Sequence, residues 1–212
     1  MRTISAVAAF SLALVGVAAA SSFGDPAGGF INNSVQAAFI PLSGTAYLIF
    51  ESRGAAFVLA PGVAVTNAHN ENMVDSAAVI GRSKQYDLLF FHTDRDAPLE
   101  AQAPQQGERV VAYGEGQEGE LRVSYGIIRS IEAPVRPQCS ACDVQQAFTF
   151  ESNAGPGFSG GPVLDADNGR LVGITFGYRD DTKGSRVMYA YDMGRVQTEF
   201  SQIETHVMGK TP

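Results

Sequence analysis

Short apolar runs, broken at brief intervals by glycine, proline, asparagine and aspartate, recur along most of this chain. Runs of this length with turn residues at their ends predict β-strands rather than helices. Thr45 to Glu51 and Ala55 to Leu59 flank Ser52-Arg53-Gly54, which reads as a hairpin turn. Val63 to Thr66 follows Pro61-Gly62, and Ser76 to Ile80 and Leu88 to His92 continue the pattern. Asp96 to Glu108 is rich in Ala, Pro and Gln without clean periodicity and reads as a connector between two halves. Strands are predicted again at Arg109 to Tyr113, Leu121 to Ile131, Gln146 to Phe150, Val163 to Leu164, Leu171 to Phe176 and Val187 to Tyr191. Only Met193 to Met208 departs from this. Its apolar residues Val196, Phe200, Ile203 and Val207 fall at spacings of 4, 3 and 4, a helical stripe. Many short strands and one late helix predict an all-β, barrel-type architecture.

The first twenty residues follow a different rule. Arg2 gives a positive start, Ala6 to Ala20 is almost wholly apolar, and Ala18-Ala19-Ala20 offers a small-residue cleavage site. This is the pattern of a secretory signal, and it is shorter than the ~20 residues that span a bilayer. The expectation is an exported protein, periplasmic or secreted, with no membrane attachment after signal removal. Residues 21–42 form the mature N-terminal segment. Ser21 to Asn33 within it is small, polar and glycine-rich, and is expected to be mobile. The net charge of −7 becomes one unit more negative once Arg2 is removed. That argues against a nucleic-acid partner, since phosphate binding needs basic patches. In an exported chain the two cysteines, Cys139 and Cys142, read first as a disulfide. So short a loop contributes only about 2 kcal/mol. Free thiols rank second. A metal site ranks last, because zinc needs about four ligands and no other Cys or His is near. No metal and no cofactor is expected.

The candidate chemistry centres on Gly155-Pro156-Gly157-Phe158-Ser159-Gly160-Gly161-Pro162. Here one serine sits among glycines that let the backbone turn sharply and leave their N–H groups unshielded. A serine hydroxyl becomes a good nucleophile when a base takes its proton and nearby N–H groups stabilise the oxyanion. His69 is the candidate base. It closes the run Gly62 to His69, an alternating apolar strand ending in a small-residue turn. Further on, Tyr86-Asp87-Leu88-Leu89-Phe90-Phe91 puts an acid at the mouth of a strongly apolar strand. A partly buried carboxylate needs a hydrogen-bond partner, and the second ring nitrogen of His69 is such a partner. Asp75, Asp94 and Asp96 are also near, but only Asp87 is followed at once by apolar residues. The order His, Asp, Ser is that of the chymotrypsin arrangement, not of subtilisins or α/β-hydrolases.

These blocks resemble the trypsin/chymotrypsin-like serine peptidases, especially the compact bacterial ones. Thr66-Asn67-Ala68-His69 is similar to the family's T-A-A-H block, and Gly157 to Pro162 to its G-x-S-G-G-P block. Tyr86 to Phe91 and Leu171 to Gly177 also match, so that the resemblance runs from about residue 43 to 192. It implies two six-stranded antiparallel β-barrels with the site between them and a terminal helix outside. Residues 43–100 would form the N-terminal barrel, and residues 101–212 the C-terminal barrel with the helix. It implies a polypeptide substrate, catalysis by His69, Asp87 and Ser159, and an oxyanion hole from the backbone N–H groups of Gly157 and Ser159. Six residues before Ser159, Asn153 falls where the family places the floor of its main specificity pocket. That uncharged floor favours a neutral or small apolar side chain. Thr175, Phe176 and Gly177 match the strand that pairs with the substrate backbone.

The chain departs from the family in two places. Phe158 replaces the acid that trypsin pairs with a new N-terminus, so propeptide cleavage is not expected to be needed. The gap from His69 to Asp87 is short for the family and implies a trimmed hairpin. His92 and His206 read as structural, and Gly126 to Ile131 as a buried strand without chemistry. Two functions stay open at this point: an active exported endopeptidase, and a peptidase-like binding protein that no longer turns over.

Overall fold

The computed structural model describes residues 28–46, 50–116, 119–136, 144–181 and 186–208. Among the described residues the first element is a helix, α1 (Gly28–Ala38), which begins within the stretch expected to be mobile and continues past Asn33. Val35 and Ala38 bury its inner side. The Arg95 guanidinium donates to the carbonyls of Gln36, Ala37 and Phe39, satisfying groups that a helix C-terminus leaves without partners.

An antiparallel sheet follows, built from β1 (Phe39–Ala46), β2 (Phe50–Ala60), β3 (Val63–Thr66), β4 (Val79–Arg82) and β5 (Leu89–His92). Its spatial order is β1-β2-β3-β5-β4. The second unit is a closed barrel of β6 (Arg109–Glu115), β7 (Leu121–Val135), β8 (Gln145–Ser152), β9 (Pro162–Asp165), β10 (Leu171–Asp180) and β11 (Arg186–Asp192). These strands close in the order β10-β11-β8-β7-β6-β9. The last element, α2 (Met193–Met208), spans the bounds its apolar stripe predicts. The architecture is therefore all-β in two antiparallel units with a C-terminal helix. Among the described residues the first unit has five strands rather than six. No described helix is long and apolar enough to cross a membrane.

One apolar core runs through both units. It joins Phe57, Leu88 and Phe90 of the sheet to Val111, Tyr113, Leu164, Ile174 and Tyr191 of the barrel and to Val196 of α2. A second cluster, with Val110, Ala112, Ile128, Phe148 and Phe150, belongs to the barrel alone. Successive residues of β6 thus serve different cores, as the two-residue period of a strand requires. Along α2, the Phe200 ring packs tilted against Phe90 at 5.2 Å, and Ile203 packs where Gly81 has no side chain. The helix thereby returns to the N-terminal sheet. Each fully buried core side chain, such as Phe57 or Phe90, contributes about 1.5–3 kcal/mol.

Three local expectations need correction. Ser52-Arg53-Gly54 is not a turn but lies inside β2, paired with Leu42, Ser43 and Gly44. Gly54 is small because a Cβ there would lie 2.6 Å from the Asn70 amide. Ser76 to Ala78 forms a 3-10 turn, and the strand begins only at Val79. Gly126 to Ile131 is buried on one side only. Ile128 points into the closed barrel, while Ile127 and Ile131 face outward and are exposed. The connector after β5 runs beside β10, with a parallel bridge from Ala101 to Leu171.

Candidate active site

The register between β3 and β5 brings the first two candidate residues together. Thr66 pairs with Leu89, so the segment leaving β3 meets the segment entering β5. His69 lies in a 3-10 helix (Ala68–Met73) that begins three residues after Val65, and Asp87 lies two residues before Leu89. The short gap between them holds only two 3-10 turns and β4.

Asp87 is fully buried. One carboxylate oxygen lies 2.6 Å from His69 Nδ1, and the other accepts the His69 backbone N–H at 3.0 Å. Both bonds come from one residue, so they fix the ring as well as satisfy the acid. A carboxylate only accepts, so Nδ1 carries the proton, and Nε2 is left as the basic nitrogen. The imidazole is 29% exposed and within reach of solvent.

Residues distant in sequence hold this acid in place. Asn67 Nδ2 donates to the Asp87 carbonyl. The Asp87 N–H reaches the Tyr191 hydroxyl at 3.4 Å, and that hydroxyl donates to Gln145 Oε1. Burial holds the Tyr191 phenol above its ordinary pKa, so it stays a neutral donor. Glu199, buried on α2, accepts from Ser83 Oγ at 2.6 Å. Ser83 Oγ in turn accepts the N–H groups of Gln85 and Tyr86. The Gln145 side-chain amide also donates to the Gln85 carbonyl. The loop that presents Asp87 is therefore braced from α2 and from the barrel.

Ser159 lies in the loop between β8 and β9. Its carbonyl accepts from the Ala55 N–H at 2.8 Å and from Asn70 Nδ2 at 3.0 Å. Asn70 is the residue after His69, so the Ser159 loop is fastened to the segment that carries the imidazole. The same amide donates to Thr66 Oγ1, which donates to the Ala55 carbonyl. Gly160 has φ +83°, and a Cβ there would collide with the Ala55 carbonyl. Gly157 has φ +90°, and a Cβ there would strike the Glu115 carbonyl. The N–H groups of Phe158, Gly160 and Gly161 donate to Gly155, Thr175 and Phe158. Among the described residues no backbone carbonyl accepts from Gly157 or Ser159. Phe158 is buried with Val110, Ala112 and Ile128, so apolar packing anchors the loop where trypsin has an ion pair.

The pocket candidates divide. Asn153 is exposed at the bend that follows β8. Thr175 is tied to the Ser159 loop. Its N–H donates to Gly161 and its carbonyl accepts from Gly160, two residues of that loop. Phe176 sits at a register shift in β10, buried and stacked on Tyr191 at 4.1 Å. Gly177 is half-buried beyond it. Cys139 and Cys142 lie outside the described residues, and so does the side chain of His206. His92 is exposed at the end of β5 and is not a buried structural histidine.

Sequence reasoning did not reach Asn70, Tyr191, Gln145 or Glu199. Only Asn70 carried a signal, as a second asparagine beside His69.

The structure is similar to that of the Rv3671c protease from M. tuberculosis in its active form, at 20% identity and a TM-score of 0.68. The match covers 84% of this chain and 87% of that one. It is also similar to the HtrA-type protease AlgW with tripeptide (22% identity, TM-score 0.65, covering 83% of this chain and 64% of that one). A third similar structure is the apo MamO protease domain from Magnetospirillum magneticum (17% identity, TM-score 0.62, covering 79% and 97%). At these identities the likeness is one of fold, the chymotrypsin-like one. No curated protein sequence matches the chain. The family model described as "Trypsin-like peptidase domain" matches residues 45–174, more than half of the chain. On that match, the chain belongs to the trypsin-like peptidase family.

Proposed function

We propose that this chain is a serine endopeptidase that cuts polypeptides through an acyl-enzyme. The observation that carries the reading is the buried Asp87 bonded twice to His69, with Ser159 fastened to the next residue, Asn70. Ser159 Oγ attacks the peptide carbonyl as His69 Nε2 takes its proton. The oxyanion is held by the N–H groups of Gly157 and Ser159. His69 then returns the proton to the leaving amine, and Asp87 stabilises the imidazolium throughout. Water attacks the acyl-enzyme by the same route in reverse.

The substrate backbone adds as a strand along β10 from Phe176 and Gly177 onward, since Thr175 is occupied by the nucleophile loop. The uncharged Asn153 favours a neutral or small side chain before the scissile bond. The packing of Phe158 supports a loop that is formed without propeptide cleavage. The signal-like first twenty residues fit an exported enzyme.

Labelling with a fluorophosphonate tests the whole reading. Wild-type protein should label and Ser159→Ala should not. Wild-type protein that stays unlabelled would mark a peptidase-like binding protein instead.

A further inference from the structure

Glu115 ends β6 with only 3% of its surface exposed. Its Oε2 has no hydrogen-bond partner among the described residues. Burial pushes its carboxyl above the usual glutamate range. The N–H groups of Gly54 and Leu42 and the charge of Arg53 favour the ionised form, and the charge of Glu120 opposes it. A carboxyl in such surroundings is costly unless its place is needed.

Its neighbours explain the place. Glu115 N–H donates to the Gly157 carbonyl at 2.9 Å, and the Glu115 carbonyl fills the space beside Gly157 Cα. The backbone of Glu115 thus grips Gly157, while its side chain reaches Gly54 and Leu42, which face each other in the β1–β2 ladder. The next residue, Ala55, binds the Ser159 carbonyl. One stretch of the N-terminal sheet therefore holds the nucleophile loop twice, directly at Ser159 and through Glu115 at Gly157.

We infer that Glu115 is a positioning residue. Its carboxylate ties β6 to the N-terminal sheet and so sets the direction of the Gly157 peptide N–H. The inference rests on the reading of that N–H as an oxyanion donor. Losing one such donor typically costs about 10²–10³ in kcat, and a misplacement of about 1 Å costs about 10².

Glu115→Ala should lower kcat about a hundredfold with KM within about threefold of wild type. Glu115→Gln keeps the volume but loses the charge-assisted bonds. It should fold with a near-native melting temperature and lose about tenfold in kcat. Hydrogen exchange should then quicken at residues 155–161 of Glu115→Gln and not elsewhere in the barrel. A folded Glu115→Gln with kcat within twofold of wild type, or with its whole loss in KM, would overturn the inference. If wild-type protein neither labels nor turns over, the functional reading fails on its own. The exchange comparison then decides the role of Glu115, and an unchanged loop rejects it.

Discussion

Replacing Asp87 by asparagine probes the hydrogen-bonded pair on which the proposed chemistry turns. The substitution keeps the shape and removes the charge. The carboxylate now accepts two N–H groups, from the His69 backbone and from Nδ1. An asparagine has a single acceptor for these two donors. If its oxygen stays on the backbone N–H, its NH₂ faces Nδ1. The proton then moves to Nε2, the nitrogen that must receive the one from Ser159. If the amide turns over, a buried donor faces a donor, at a cost of about 1–3 kcal/mol. The lost charge adds to this. With charge centres roughly 4 Å apart and an effective dielectric near 20, the imidazolium loses about 4 kcal/mol of stabilisation. At about 1.4 kcal/mol per tenfold, that is close to three decades. Together with the wrong tautomer, kcat should fall by about 10⁴. Hydrolysis of a chromogenic peptide by purified protein measures this, with circular dichroism to check folding. A folded Asp87→Asn variant that loses less than tenfold would show that another acid serves His69.

Three further outcomes follow from the same geometry. Gly160→Ala must hold a side chain at φ +83° against the Ala55 carbonyl. It should lose about 3 kcal/mol or more and all labelling at Ser159; full labelling at wild-type stability would contradict the packing of this loop. Asn70→Ala removes the donor to Ser159 and Thr66. A loss of about 1–3 kcal/mol, read as a melting temperature several degrees lower, is expected, and an unchanged midpoint would refute the bond. For Glu115, burial raises the folded-state pKa above the ordinary 4.5. The folded state therefore holds that proton more tightly than the unfolded chain. The resulting stability is absent at neutral pH and grows as pH falls through the raised value towards 4.5. Urea midpoints of wild type and Glu115→Gln, compared at neutral pH and near the lower bound, should shift in favour of wild type. A shift in the opposite direction would refute the sign.

The chemistry was more legible in the sequence than its supports. His69, Asp87 and Ser159, the residues of the proposed chemistry, each sit in a short block that can be read locally. The helical stripe of α2 was legible because its period differs from that of every strand before it. Glycine misled the reading at Gly54, where a close approach by Asn70 and not a turn demands it. The tie from Thr175 to Gly160 and Gly161 was not legible, because one strand alone does not reveal which distant loop its backbone groups meet. Tyr191, Gln145, Glu199 and Glu115 act across long separations. The contact from Tyr191 to Asp87 spans 104 residues and that from Glu199 to Ser83 spans 116. No local period encodes such pairs.

Those two contacts also order events during synthesis. Asp87 leaves the ribosome before Tyr191 and Glu199 exist, so the loop carrying it waits without these braces until they are made. A nascent chain lacking its closing helix holds the histidine and the serine but not the finished seat of the acid. On the proposed reading, the acid is therefore fully seated only once β11 and α2 have been made.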